Sequence, residues 1–259
     1  ASRGGPILLF QLDDDQGTGH VNYAGPKSWE YLERLADMAA SAGGEAPFVI
    51  NPIDMRVPAA GCSASLPRPI ASLGQWYLRG RRRVNASDRT EMEYFVEELK
   101  TQPCFVAMLS EFQAGWYAPG DDSRPPPIEP ASTLLASRLL LGRGLRGLTY
   151  FPLQDTVTPA GYEVPWANRF YRWDAAFDLN GERRERAGAL LRNGRLIHAL
   201  GEKLAATHLH ANLGVVDLTA SLPQASLSPK DIREIAANLQ RALRLLGAMG
   251  YTGELVDAE

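Results

Sequence analysis

The sequence predicts an α/β fold built on parallel strands, and three observations carry that prediction. Two apolar runs end abruptly in carboxylates: Ile7-Leu8-Leu9-Phe10-Gln11-Leu12 runs into Asp13-Asp14-Asp15, and Met108-Leu109-Ser110 into Glu111. Strands covered on both faces read as continuous apolar runs, as in parallel sheets. Strand-like and helix-like segments then alternate along the chain, with no long antiparallel stretch. Last, a strand–helix–strand unit follows residue 212 after a change of pattern, with a boundary expected near 209–212.

Each element has its own signal. Residues 7–12 read as a buried strand. A helix is expected near 27–42, where Trp29, Leu32, Leu35, Ala36 and Ala39 share one face and Gly43-Gly44 ends it. Phe48-Val49-Ile50 is the next strand. The stretch 53–85 is rich in Pro, Gly and Arg and reads as a long loop. Asp88 and Glu91 suit a capping box for a helix to about residue 100. Residues 104–110 are another buried strand, ending at Glu111. Five prolines in 118–130 make that stretch a loop. A helix follows over about 131–142, stopped by Gly142 and Gly144. A strand lies within 145–153, and an aromatic-rich loop region with one short strand within 154–182. A helix is expected over about 183–206. Gly214 to Leu218 is a strand. Ser228-Pro229-Lys230-Asp231 opens a helix with an N-cap, a first-turn proline and an acid. Ile232, Ile235, Leu239, Leu243 and Leu246 keep one face of it apolar. Glu254-Leu255-Val256 closes the unit as a strand.

Composition narrows the function classes. The 259 residues are 45% apolar, enough for a sizeable core, and 30 acids against 27 bases leave a net charge of -3. That balance offers no electrostatic footprint for nucleic acid, and Arg81-Arg82-Arg83 reads as a solvated loop. No apolar segment has the length a bilayer demands, so no membrane partner is expected. Cys62 and Cys104 cannot make a disulfide framework, and Cys104 reads as a buried thiol. His208 and His210 would supply two metal ligands where zinc sites use three or more, so neither a metal nor an organic cofactor is expected. Asn85-Ala86-Ser87 matches a glycosylation triplet, a pattern that arises often by chance. No signal-peptide pattern is visible, which leans toward a cytoplasmic location. The chain opens without Met and enters a strand directly after Gly4-Gly5-Pro6, as expected of a piece with sequence upstream.

The chemistry sits at the two acidic strand ends. Hydrolysis of a glycosidic bond with retention takes one carboxylate as nucleophile and a second as proton donor. Glu111 and one of Asp13, Asp14 and Asp15 supply the residue types. Acids at strand ends commonly cap a following helix, so neither cluster points to catalysis alone. Their combination with aromatics does, because rings pack against the C–H faces of a pyranose. Phe112, Trp116, Tyr117, Tyr150, Phe151, Tyr162, Trp166, Tyr171 and Trp173 are the candidates, of which two or three would touch ligand.

These motifs resemble glycoside hydrolase family 35, the beta-galactosidases. Members carry Gly-Pro-Ile-(apolar)-Gln-(apolar)-Glu-Asn-Glu-(aromatic)-Gly, aligned here with Gly5-Pro6-Ile7, Gln11-Leu12, Asp13-Asp14-Asp15 and Gln16-Gly17. They carry Ser-Glu-Phe/Tyr-x-x-Gly-Trp, matched by Ser110, Glu111, Phe112, Gly115 and Trp116. A third family segment resembles Tyr171-Arg172-Trp173-Asp174-Ala175-Ala176-Phe177 through Gly181. The family's Gly-Gly-Thr-Asn signature is replaced by Leu153-Gln154-Asp155-Thr156.

The resemblance implies the later strands of a (β/α)₈ TIM barrel over 1–208, entered at the fourth strand. Residues 209–259 then resemble the start of a second α/β domain of flavodoxin-like type. It implies Glu111 as nucleophile and Asp15 as acid/base. Asp13, Asp14, Asn51, Trp116 and Tyr171 would contact substrate. The implied function is a retaining exo-glycosidase on terminal beta-galactosides, its partner a carbohydrate, with a homo-oligomer compatible. The alternatives are a related retaining beta-glycosidase of other sugar specificity and a weakened, carbohydrate-binding barrel. Asp-Asp-Asp in place of Glu-Asn-Glu draws the proton donor back by roughly 1–1.5 Å, one methylene. Without the first three βα units, the residues alone are not expected to hold a whole substrate site.

Overall fold

The computed structural model describes residues 7–13, 27–51, 70–77, 83–101, 105–114, 128–162, 170–217 and 229–257. Its elements in chain order are β1 (Phe10–Gln11), α1 (Lys27–Ser41), β2 (Phe48–Ile50), β3 (Ile70–Trp76), α2 (Ala86–Thr101), β4 (Phe105–Gln113) and α3 (Pro130–Arg143). They continue with β5 (Gly147–Phe151), β6 (Thr156–Val157), β7 (Phe170–Tyr171), α4 (Glu185–Ala205), β8 (Leu213–Asp217), α5 (Pro229–Ala248) and β9 (Gly253–Asp257). Strands β1 to β5 hydrogen-bond in the order of the chain. The pairs β1–β2 and β2–β3 are parallel, with Phe10 opposite Phe48 and Phe48 opposite Ile70. Two small sheets accompany them, antiparallel β6–β7 and parallel β8–β9.

The chain divides into two compact units. The first comprises Ala1–Gln75, Tyr94–Met108 and His210–Glu259. Its first core forms where α1 lays Leu32 and Ala36 on Phe48, Ile50 and Ile70. The helical spacing of those apolar residues dictates this, while Glu30, Glu33, Arg34 and Asp37 stay exposed on the other side. Gly43, at φ 89, turns the chain out of α1, and the Gly44 N–H bonds back to the Ala39 carbonyl at 2.8 Å.

A second core joins Tyr94, Leu243 and Leu255, with Val215 and Leu239 packed against it. Leu255 N–H donates to the buried Glu97 carboxylate at 3.2 Å, whose other oxygen takes Lys100 at 2.7 Å. Helix α5 lies close on β9, since a Cβ at Gly253 would stand 2.9 Å from Leu243 and Leu246.

The second unit comprises Trp76–Glu93 and Leu109–Leu209. Helix α3 begins at Pro130 and ends at Gly144, whose φ of 121 suits glycine. It buries Ser132, Thr133, Ala136, Ser137, Leu140 and Leu141. In α4, Ala187 and Leu190 form a cluster with Ala114 and Ala176.

The described residues show an open run of five strands and not a full barrel. Four expectations need correction. Among the described residues no second flavodoxin-like domain is seen; β8–α5–β9 packs its apolar face on Tyr94. Residues 70–76, expected in a loop, form β3, because a strand paired along β2 tolerates the Ser and Gly that make it look irregular. The box that starts α2 lies three residues upstream of Asp88–Glu91. Asn85 Oδ1 accepts the N–H groups of Ser87 and Asp88 at 2.8 and 3.0 Å, and Asp88 accepts Asn85 N–H at 2.8 Å. Residues 7–12, expected to be buried, have a strand only at 10–11, and Phe10 is 41% exposed, because β1 stands at the end of the order of the described strands.

Candidate active site

Strand β4 runs through Glu111 to Gln113, two residues further than its apolar run implied. Successive side chains of a strand face opposite ways. Phe112 and Ala114 are fully buried on one face. The Phe112 ring meets Tyr150 of β5 edge-on, with centroids 5.8 Å apart. Glu111 therefore stands on the other face, half-buried, which a core strand could not allow without a partner. That partner is Tyr77, the residue after β3, whose hydroxyl donates to Glu111 Oε2.

The same alternation places Phe151 on the Glu111 face. Tyr150 belongs to the Phe112 side, and Ala114 N–H bonds to the Phe151 carbonyl at 3.1 Å, which sets the two strand ends together. The Phe151 ring meets Trp173 edge-on at 6.0 Å between centroids. Behind the sheet, the Tyr150 hydroxyl lies 3.1 Å from the Ser137 hydroxyl and accepts from Asn193 Nδ2 at 2.8 Å. Burial raises the Tyr150 pKa above its ordinary value, against a smaller lowering by those two hydrogen bonds.

Trp173 and Asp174 are held by two buried charge clusters. Asp155 accepts the N–H groups of Trp173 and Ala175 at 3.0 and 3.1 Å, and Arg184 at 2.8 Å. For Arg184, burial works toward a lower pKa; the bond and charge of Asp155, with Asp174 and Asp178, raise it on balance. Asp174 has φ 53, in the left-handed region. Arg186, 2% exposed, bonds to the Asp174 carbonyl at 2.9 Å and its carboxylate at 2.8 Å. Thr133 and the Ile128 carbonyl accept two more of its N–H groups.

The other expected residues fall in different places. Asp13 follows β1 and hydrogen-bonds Tyr31, which raises the tyrosine pKa through that bond first, then burial and the Asp13 charge. Asn51 follows β2 and is fully buried. Continuing the pairing of Gln11 with Val49 sets Asp13 opposite Asn51, so these two strand ends do come together. Tyr171 lies in β7, opposite Thr156. Asp14, Asp15 and Trp116 lie outside the described residues.

Tyr77 and Asp155 were not legible as site residues. Tyr77 closes a strand that reads as loop, and only the aromatic pair Trp76-Tyr77 hints at an ending strand. Asp155 follows a turn, with nothing local to show that it is buried. Among the described residues no cluster of His, Cys, Asp and Glu could hold a metal ion, and no helix is long and apolar enough to cross a membrane.

No protein-family model and no curated protein matches the chain in sequence. Solved structures do. A beta-galactosidase from Rahnella sp. R3 superposes with a TM-score of 0.56 at 15% identity, over 92% of this chain and 34% of that one. A beta-galactosidase from the haloarchaeon Halorubrum lacusprofundi gives 0.53 at 16% identity, over 91% and 35%. A catalytic mutant of a GH42 beta-galactosidase from G. stearothermophilus gives 0.52 at 10%, over 88% and 34%. The chain thus spans about a third of the length of these structures. The likeness does not single out family 35. What it shows is a glycosidase-like α/β fold, shared with part of the beta-galactosidases.

Proposed function

We propose that this chain carries both catalytic carboxylates of a retaining beta-glycosidase site, with terminal beta-galactosides as substrate and family 35 as its sequence relatives. One observation carries the reading: Glu111 stands at the end of β4, half-buried on the face opposite Phe112, with the Tyr77 hydroxyl donating to it. A donated hydrogen bond favours the ionised carboxylate, the form that attacks, and fixes its orientation. Glu111 would attack the anomeric carbon while Asp15 protonates the departing oxygen. Asp15 would then deprotonate the water that releases the sugar from Glu111. Asp13, Asp14, Asn51, Trp116 and Tyr171 would contact the sugar. The fold likeness to beta-galactosidases supports the substrate class.

A 2-deoxy-2-fluoro galactosyl fluoride tests this by trapping the covalent intermediate. In the full-length enzyme, peptide mass analysis is expected to find the label on Glu111, and Glu111→Gln to abolish hydrolysis of aryl beta-galactosides with the circular dichroism unchanged. Label on another carboxylate would refute the assignment. Preference for another sugar across aryl beta-glycosides would select the related enzyme, and binding without turnover the carbohydrate-binding protein.

Asp15 is tested by leaving group. A poor leaving group depends on protonation and a good one does not. Asp15→Asn is expected to cripple cleavage of natural galactosides far more than of activated aryl galactosides, with azide restoring part of the second step. The same leaving-group dependence in Asp13→Asn or Asp14→Asn instead would move the role.

A further inference from the structure

We infer that Asp155 is a positioning residue for an aromatic subsite, formed by Phe151 and Trp173 on the Glu111 face of the sheet, that takes the apolar face of a sugar ring. The inference rests on the glycosidase reading and names a specificity device within it. Phe151 shares the Glu111 face by strand alternation and is 41% exposed, so its ring is accessible there. Trp173 stands edge-on to it. Two rings at an angle beside a half-buried carboxylate offer a pyranoside an apolar wall and a polar end, the composition of sugar and small-molecule sites.

The fixing of Trp173 is more elaborate than packing calls for. Asp155 has no exposed side-chain surface, and it accepts the N–H groups on both sides of Asp174. Its second oxygen is held by Arg184. Asp174 lies between those N–H groups with a left-handed backbone, held in turn by Arg186. Asp adopts that region more readily than most residues, and the bonds from Asp155 and Arg186 hold the turn in it. The side chain beside it is Trp173. Asp155 acts through Trp173 and would not touch the sugar.

Calorimetric titration of the full-length enzyme with isopropyl beta-D-thiogalactoside, whose sulfur linkage resists hydrolysis, tests this. Trp173→Ala is expected to weaken binding by roughly tenfold, about what one ring contact is worth. Asp155→Asn, of the same size without the charge, is expected to do likewise. In a Trp173→Ala background Asp155→Asn should add less than about twofold, because residues that act as a unit are not additive. Trp173→Phe should restore most of the binding. With an aryl galactoside the loss should fall on KM, leaving kcat within roughly threefold, as expected when uniform binding is removed.

Asp155→Asn that lowers the melting temperature but leaves binding unchanged, or that adds fully to Trp173→Ala, would overturn the inference. Should Asp155→Asn not fold, Arg184→Gln enters the same cycle with the same expected outcomes. A full-length wild-type enzyme that neither binds the thiogalactoside nor cleaves the aryl galactoside would overturn the glycosidase reading itself, and the subsite with it. Binding by wild type, unaltered in Trp173→Ala, would sink the subsite alone.

Discussion

Glu111 and Phe112 are neighbours in β4 with opposite fates. One ring vanishes into the core against Tyr150, while the carboxylate is turned out toward Tyr77. A single hydrogen bond to a charged group contributes roughly 1.5–3 kcal/mol. Tyr77→Phe is therefore expected to lower kcat by about ten- to a hundredfold if that bond matters in the transition state, with unfolding in urea little changed. An unchanged kcat would show that Tyr77 orients nothing. Tyr150 makes a separate prediction. Its pKa is raised by burial, so the folded chain holds the phenol proton more tightly than the unfolded chain does. Its contribution is complete below the unfolded value near 10 and is lost as pH rises toward the folded value. Tyr150→Phe, which leaves Ser137 and Asn193 without that hydroxyl, should cost about 1 kcal/mol at pH 7. It should also flatten the decline in stability above pH 10 expected of wild type in urea melts.

At the scale of elements, α2 and β9 hang on one or two residues each. Asn85 satisfies two N–H groups at the start of α2 and receives the Asp88 cap in return. Asn85→Ala is expected to destabilise the chain by about 1 kcal/mol. Ser87→Ala, which loses only an exposed contact to Glu91, should cost less than about 0.5 kcal/mol. Equal shifts in the two urea midpoints would contradict the assignment of the cap. Gly253 lets α5 lie against β9; a methyl group there would stand 2.9 Å from two leucine side chains. Gly253→Ala should destabilise by about 1–3 kcal/mol, the usual result of overpacking. The helices were legible because their apolar residues recur at helical spacing: the expected 27–42 and 183–206 are Lys27–Ser41 and Glu185–Ala205. Strand β3 was not, since Gly74, Ser72 and the flanking prolines imitate a loop and only pairing with β2 makes it a strand.

At the scale of the whole molecule, the terminal β8–α5–β9 unit shares a core with Tyr94 and a hydrogen bond with Glu97. It belongs to the same compact unit as residues 1–75. A chain ending at Leu209 would expose the Tyr94 ring and take the Leu255 N–H from Glu97, so α2 would lose apolar burial and one hydrogen bond. Hydrogen exchange is expected to show α2 amides over 94–100 losing protection in that truncation. Unchanged protection would mean that 210–259 folds as an independent domain.

What the sequence determined by itself is local or periodic. The alternation of strands and helices, their approximate bounds and the strand carrying Glu111 follow from apolar spacing and stop signals, which act over a few residues. Only the tertiary structure decided which strand ends meet. Tyr77 reaches Glu111 across 34 positions of chain, and Arg184 reaches Asp155 across 29. It also decided that Asp155 is buried, and that Phe151 and Trp173 stand together. Such pairings depend on the register of strands and the path of loops, and these are set by the packing of the whole chain. No spacing within a motif records them.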